Sequence, residues 1–319
     1  MTSPDRAAAG SRPAAAEARR LQAIVARASE RPALRVAVVD AAELHVLQAA
    51  CEGAALGLLE PVLVGAPDEI ARLCEQAGGS AADFEVVAAD SEQAAAARGV
   101  ELVLEGRADA LMKGWIHTDV LMRPVLAHLR TERRISHVFA VDLASYHKLL
   151  FVTDAAINVA PDLDVKAAIV ANAVGLLRLL GIETPRVAAL SAIELVKGTI
   201  ASTIDAACLS KMAARGQIRG AIVDGPLAFD NAISREAARI KQIESPVAGE
   251  VDILLAPDLD SGNILAKDLE YLAGAVLAGI VLGARVPIVL TSRSDPPAAR
   301  IASVALASLA HGGGDALRS

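Results

Sequence analysis

Short runs of β-branched and aliphatic residues alternate along this chain with alanine-rich windows of helical length, and that alternation leaves few folds open. Arg35–Asp40 (RVAVVD) precedes a helical window ending near Gly57, and Pro61–Gly65 (PVLVG) precedes one from Pro67 to Gly78. Phe84–Ala89 (FEVVAA) leads into a helix from about Asp90, and Ala108–Gly114 (ADALMKG) into one near Thr118–Leu129. Parallel neighbours need a crossover long enough to hold a helix, so strands and helices alternating at this spacing build parallel sheets. The expected fold class is α/β, with mostly parallel sheets and helices on both faces.

The pattern changes once. Ser136–Leu143 (SHVFAVDL) and Leu149–Asp154 (LLFVTD) are separated only by ASYHK, too short for a helical crossover, so they pair antiparallel and mark the entry to a second domain at residue 143. Alternation then resumes. A helix over Leu163–Leu180 is followed by strand RVAALS, helix Ala201–Arg215, strand GAIVDG and helix Asn231–Lys241. Strand VDILLAP, a long helix over Asn263–Leu282, strand PIVLT and a last helix to His311 complete the series. The uncharged run Tyr271–Ala284 falls short of the roughly 20 residues a membrane span requires and reads as buried helix.

Composition narrows the function. Hydrophobic residues make up 54% of the 319 and aromatics 2%, so the core is small and aliphatic, and a base-stacking platform is not expected. A net charge of −7 with no basic block argues against nucleic acid. The three cysteines, Cys51, Cys74 and Cys208, stand far apart without a C-x-x-C pair and read as buried thiols of a reducing cytoplasm, not as a disulfide framework or zinc site. Met1–Ala16 is mostly Ala, Pro, Ser and Arg without an apolar signal core and reads as a loose tail, of which Met1–Pro13 is expected to be dispensable, and HGGGDALRS at the other end reads as disordered. No partner membrane or nucleic acid is expected.

In open α/β sheets ligands bind beyond the carboxyl ends of the strands, and polar residues gather there repeatedly. ADALM delivers Lys113, Gly114 and Thr118; GAIV delivers Asp224, Gly225, Pro226 and Asp230; VDILLA delivers Asp258, Ser261, Gly262, Asn263 and Lys267. The uncharged run Val286–Leu290 ends in Thr291, Ser292, Arg293, Ser294 and Asp295. In SGN, Ser261 or Asn263 can cap a helix, Gly262 lets backbone approach a ligand, and free helix N–H groups attract an anion. Arg293 adds a planar fork suited to phosphate or carboxylate, with the Ser292 hydroxyl beside it. Neither G-x-G-x-x-G nor G-x-x-x-x-G-K-[ST] occurs, so the anion is not held by a nucleotide loop. Asp224 reads as a strand end and Asp230 as a helix cap in preference to metal ligands. SYHK, at Ser145–Lys148, matches S-x-x-K without its companion motifs.

Taken together, ADALMKG, DGPLAFDNAIS, PDLDSGNILAK and AGIVLGARVPIVLTSRSD resemble the phosphate acetyl/butyryl transferase family, over about Leu34 to Ala310. The resemblance is closer to the butyryltransferase-like branch. It implies two α/β domains around a cleft, similar to isocitrate and isopropylmalate dehydrogenases, with residues 1–142 plus 285–319 in the first domain and 143–284 in the second. It implies exchange of CoA and phosphate on a short acyl group, no tightly bound cofactor or metal, CoA and acyl-CoA as substrates, and a homodimer or larger homo-oligomer in the cytoplasm. Ser292 and Arg293 would lie in the cleft, the serine near the CoA sulfur and the arginine on the acyl phosphate. Lys113, Asp224, Ser261, Gly262, Asn263 and Lys267 are expected to contact substrate.

One departure concerns the base. The family's acetyltransferases place an aspartate seven residues after the serine; here that position is Ala299, and Asp295 is the nearest carboxylate. Two other readings stay open: a metal- and NAD(P)-dependent decarboxylating dehydrogenase of the same fold, using Asp224, Asp230 or Asp258, and a non-catalytic metabolite-binding relative.

Overall fold

The computed structural model describes residues 18–292, 295–311 and 313. Met1–Ala16, most of HGGGDALRS and Arg293 lie outside them. The elements run α1 (Arg19–Ser29), β1 (Leu34–Val39), α2 (Leu44–Ala55), β2 (Leu59–Gly65), α3 (Pro67–Gln76), β3 (Glu85–Ala88), α4 (Glu92–Leu104), β4 (Ala110–Lys113) and α5 (Thr118–His128). Next come β5 (Ser136–Asp142), β6 (Leu150–Thr153), α6 (Leu163–Leu179), β7 (Arg186–Leu190), α7 (Ala201–Ala214), β8 (Ile222–Leu227), α8 (Phe229–Ile233) and α9 (Arg235–Ile240). The chain continues through β9 (Ile253–Leu255), α10 (Leu259–Tyr271), β10 (Val276–Leu282), β11 (Ile288–Val289) and α11 (Pro297–His311).

The eleven strands of the described residues form one mixed sheet in the order β3-β2-β1-β4-β11-β10-β5-β6-β9-β7-β8. Its pairs are parallel except β11–β10, β10–β5 and β5–β6. The expected antiparallel pair is β5–β6, with Val138 opposite Thr153. The expected domain boundaries fall in the β5–β6 and β10–β11 connections, at the centre of the sheet. No helix among the described residues is long and apolar enough to cross a membrane.

Two expected helices are corrected. The long helix over Asn263–Leu282 ends at Tyr271, Gly274 takes a left-handed φ of 69°, and the uncharged run becomes strand β10. Strand β10 is paired on both edges, by β11 and β5, and residues on both its faces are buried, so its sequence carries no period to separate a strand from a buried helix. The helix expected over Asn231–Lys241 is split into α8 and α9 at Ser234, whose hydroxyl caps α9 by accepting from Ala237 N at 3.1 Å. Asp230 sits inside the first turn of α8 and pairs with Lys241 at 3.0 Å; it is not a cap.

The helices cover the sheet in two layers because successive strand residues point to opposite faces. Val36 and Val38 of β1, Met112, Val138, Ile253 and Ile280 meet α1, α2, α6 and α11 on one face. Ala37 and Val39 point the other way, toward α4 and α5. Helix α11 is buried from Ala299 to Ala310, which its Ala, Ser and Val side chains permit by letting neighbouring backbones approach.

Candidate active site

On the second face the apolar core is interrupted. One cluster, with Val39, Leu121, Val281, Ile288 and Leu290, lies under α4 and α5; another, with Val141, Val152, Leu254, Ala266 and Leu277, lies under α8 and α10. Between them the floor of the seam is made by His137 and Phe139 of β5 and Gly279 of β10. Polar groups reach this seam from several strand ends.

The carboxyl ends of β1, β4 and β11 meet at its edge. Gly114 N donates to Val39 O and Trp115 N to Asp40 O, both at 2.9 Å, which folds the chain after β4 over the end of β1. Only glycine fits at 114, since a Cβ there would collide with the Asp40 carbonyl. Strands β4 and β11 are parallel, with Met112 beside Val289, so buried Lys113, the last residue of β4, stands next to the end of β11, and half-exposed Trp115 follows it.

The segment after β11 is held from below by α11. Arg300 is 0% exposed; its Nη1 donates to Thr291 Oγ1 at 2.8 Å and its Nη2 to Ser292 O at 3.1 Å. Asp295 turns its carboxylate back to accept from Ser292 N at 2.7 Å, and its own N donates to Ser292 O at 3.2 Å. Asp295 therefore closes the loop around Ser292. Burial pushes the Asp295 carboxyl above its ordinary pKa; the Ser292 N–H pulls it back, Glu270 adds to the rise, and Lys267 and Arg300 oppose it. Burial likewise lowers the Arg300 pKa, against the charges of Asp295 and Glu43.

Helix α10 forms the facing wall. Its cap is Asp258, in place of the expected Ser261 or Asn263: the Asp258 carboxylate accepts from Ser261 N at 2.8 Å and from Ser261 Oγ at 2.7 Å. A fixed carboxylate thus already complements this end of the helix dipole. Gly262 is used for approach to the protein's own backbone, because a Cβ would strike the Asp154 carbonyl, and Asn263 Nδ2 donates to Ala155 O at 3.1 Å. Further along the helix, Lys267 binds Glu270 at 2.9 Å and lies 5.5 Å from the Tyr271 ring centre, near enough for both charges to act on Asp295.

Ser292, Asp295 and Lys267 are thus brought to one place, and Lys113 ends β4, the strand beside β11. Ser261 is about 9 Å along the α10 axis from Lys267. Asp224 is not brought there: it lies on β8, six strands from β11 and so about 29 Å away at ~4.8 Å per strand. Its Oδ1 accepts from Gly225 N at 2.9 Å. Among the described residues no group of three or more His, Cys, Asp or Glu side chains converges as a metal site.

Two residues of the site were not anticipated. Arg300 had a signal, as the one charge inside the otherwise uncharged window Pro296–Ala310. His137 had none, sitting mid-strand in SHVFAVDL. Its ring is fully buried 4.2 Å from Phe139, and neither ring nitrogen has a hydrogen-bond partner among the described residues. Burial lowers its pKa to about 4, against the raising effect of Asp154 and the Leu290 carbonyl, so it is neutral at pH 7. Asp154 is itself buried and well satisfied, accepting from Ala156 N at 2.9 Å, Ile157 N at 3.0 Å and Asn158 Nδ2 at 2.6 Å.

Residues 68–308 match the family described as "Phosphate acetyl/butaryl transferase". The chain is 51% identical over 289 residues to a phosphate acetyltransferase of Rhizobium meliloti, covering 90% of this chain and 91% of that one. It is 41% identical over 292 residues to a phosphate butyryltransferase of Clostridium acetobutylicum, covering 91% and 97%. Among solved structures it superposes on a branched-chain phosphotransacylase from Enterococcus faecalis V583 with a TM-score of 0.75 at 29% identity, over 87% of this chain and 99% of that one.

Proposed function

Because the chain belongs to the phosphate acetyl/butyryl transferase family and is an acyltransferase, we propose that it converts a short acyl-CoA and phosphate to acyl phosphate and CoA in one ternary complex, without a tightly bound cofactor. The observation that carries this reading is the convergence of Ser292 and Asp295, beyond β11, with Lys267 of α10, next to the end of β4 at Lys113. A phosphate oxygen attacks the thioester carbonyl, negative charge grows on the carbonyl oxygen, and the CoA thiolate leaves as the tetrahedral adduct collapses. Holding both substrates in one cleft supplies much of the acceleration, and fixed donors aimed at the developing charge supply more.

In this reading the Ser292 hydroxyl hydrogen-bonds the departing sulfur, and Arg293 pairs with the phosphoryl group. Arg293 lies outside the described residues, so its role rests on its position in the TSRSD motif. Lys267 and Lys113 add positive charge at the two sides of the seam. Asp295 is the proton acceptor when CoA enters as a thiol in the reverse direction: a carboxyl raised by burial is a stronger base than an exposed one. The reading gives Asp224 no part.

Release of free thiol from acetyl-, propionyl- and butyryl-CoA on adding phosphate is the test. Arg293→Ala is expected to lower turnover by roughly 10²–10³, and Arg293→Lys to recover part, because an ammonium keeps charge and loses the two-pronged geometry. Phosphate-independent thiol release, or none from any of the three, would overturn the reading.

A further inference from the structure

Cys51 and Cys74 stand apart in the sequence, yet the fold sets their Sγ atoms 3.8 Å from each other, Cys51 on α2 and Cys74 on α3. A third element closes the pair. Gly79 N donates to Cys74 O at 3.0 Å, tying the loop after α3 to the cysteine backbone. A Cβ at position 79 would stand 2.6 Å from Cys51 Sγ and 3.4 Å from Cys74 Sγ. Here glycine makes room for sulfur, and the loop leaves Cys51 little freedom to swing away from its neighbour.

We propose that Cys51 and Cys74 form an oxidation site, a dithiol that a small organic disulfide converts into an intramolecular disulfide linking α2 to α3. Bringing the sulfurs from 3.8 Å to the bonded ~2.05 Å asks each to move by roughly 0.9 Å, within reach of side-chain rotation. The reaction runs in two exchanges. The Cys51 thiolate attacks one sulfur of the oxidant, forming a mixed disulfide and expelling one oxidant thiolate. The Cys74 thiolate then attacks the Cys51 sulfur and expels the second. Two protein thiols are oxidised, the oxidant is reduced to two thiols, and the two protons released by the cysteines end on those thiols.

The environments set the order. Cys51 is half-buried and meets the oxidant; Cys74 is buried. Burial, followed by the nearby Cys51, raises the Cys74 thiol to about 12, so it is not the first nucleophile, and its place 3.8 Å from Cys51 makes it the thiol that resolves the mixed disulfide. Cys208, on α7, serves as the internal control.

The experiment incubates the reduced full-length chain with 2-hydroxyethyl disulfide, then reads intact mass and non-reduced peptide maps. The expected product is lighter by two hydrogen atoms, contains a cross-linked pair of peptides carrying Cys51 and Cys74, and reverts with dithiothreitol. Cys208→Ser should form the same product, whereas Cys51→Ser should not. Native wild-type protein that keeps Cys74 as a free thiol, either unmodified or with a lasting adduct on Cys51 alone, would overturn the proposal. So would a cross-link that joins Cys208.

Discussion

Replacing Arg300 by methionine isolates what the buried guanidinium does, because methionine keeps most of the apolar stem and leaves only a small cavity. The substitution removes donors to Thr291 Oγ1 at 2.8 Å and Ser292 O at 3.1 Å. It also takes away a positive charge that opposes the rise in the Asp295 pKa. A hydrogen bond to a charged group contributes about 1.5–3 kcal/mol. Stripping one partner from a buried charged set costs about 3–5 kcal/mol. The two estimates describe overlapping losses, so the expected destabilisation is about 3–5 kcal/mol, a large share of the roughly 5–15 kcal/mol that holds a typical domain together. The Ser292 loop should lose its anchor at the same time, so turnover should fall even when corrected for the folded fraction. Urea denaturation gives the first quantity and steady-state thiol release the second. Arg300→Lys should regain part of the stability, since an ammonium can reach one of the two acceptors. Denaturation within about 1 kcal/mol of the parent would refute the energetic argument, because surface substitutions already behave that way. Lost stability with unchanged turnover per folded molecule would refute the positioning role.

The remaining predictions concern single residues around the seam. His137 has its folded pKa lowered to about 4 from a usual 6.5, so its contribution is present above about 6.5 and lost as pH falls toward 4, a loss of about 3 kcal/mol. His137→Leu should flatten that part of the stability–pH curve, and an unchanged acid limb would show that another group titrates. Asp295 has its folded pKa raised, so its contribution is greatest below the ordinary carboxylate range and declines as pH rises through the raised value. Asp295→Asn should therefore melt higher relative to the parent at neutral pH than in acid, while losing turnover as the proton acceptor disappears; the opposite trend in melting would contradict the assigned sign. Gly262→Ala drives a Cβ into the Asp154 carbonyl and should cost about 1–3 kcal/mol in a thermal melt, with α10 and Lys267 displaced. No change would mean the helix start can shift freely.

Some of the protein was already decided by local pattern. The β-branched runs at Arg35–Asp40 and Ser136–Leu143, and the short ASYHK connector, specify parallel units and one antiparallel pair because helix and strand periods follow from backbone sterics within a few residues. The strand-end motif at Ser292 to Asp295 and Lys113 could be picked out for the same reason, since chain direction alone puts them at carboxyl ends, whereas Lys267, inside α10, comes near Asp295 only through the packing of that helix. Tertiary structure decided which strand lies beside which. That choice made an uncharged run into β10, sent Asp224 six strands away from Ser292, and gave the cap of α10 to Asp258. It also buried Arg300 and His137, whose burial depends on residues from α11, β10, β5 and β11 arriving together, and it brought Cys51 within 3.8 Å of Cys74. Burial and contact are sums over distant neighbours, and no window of consecutive residues contains them.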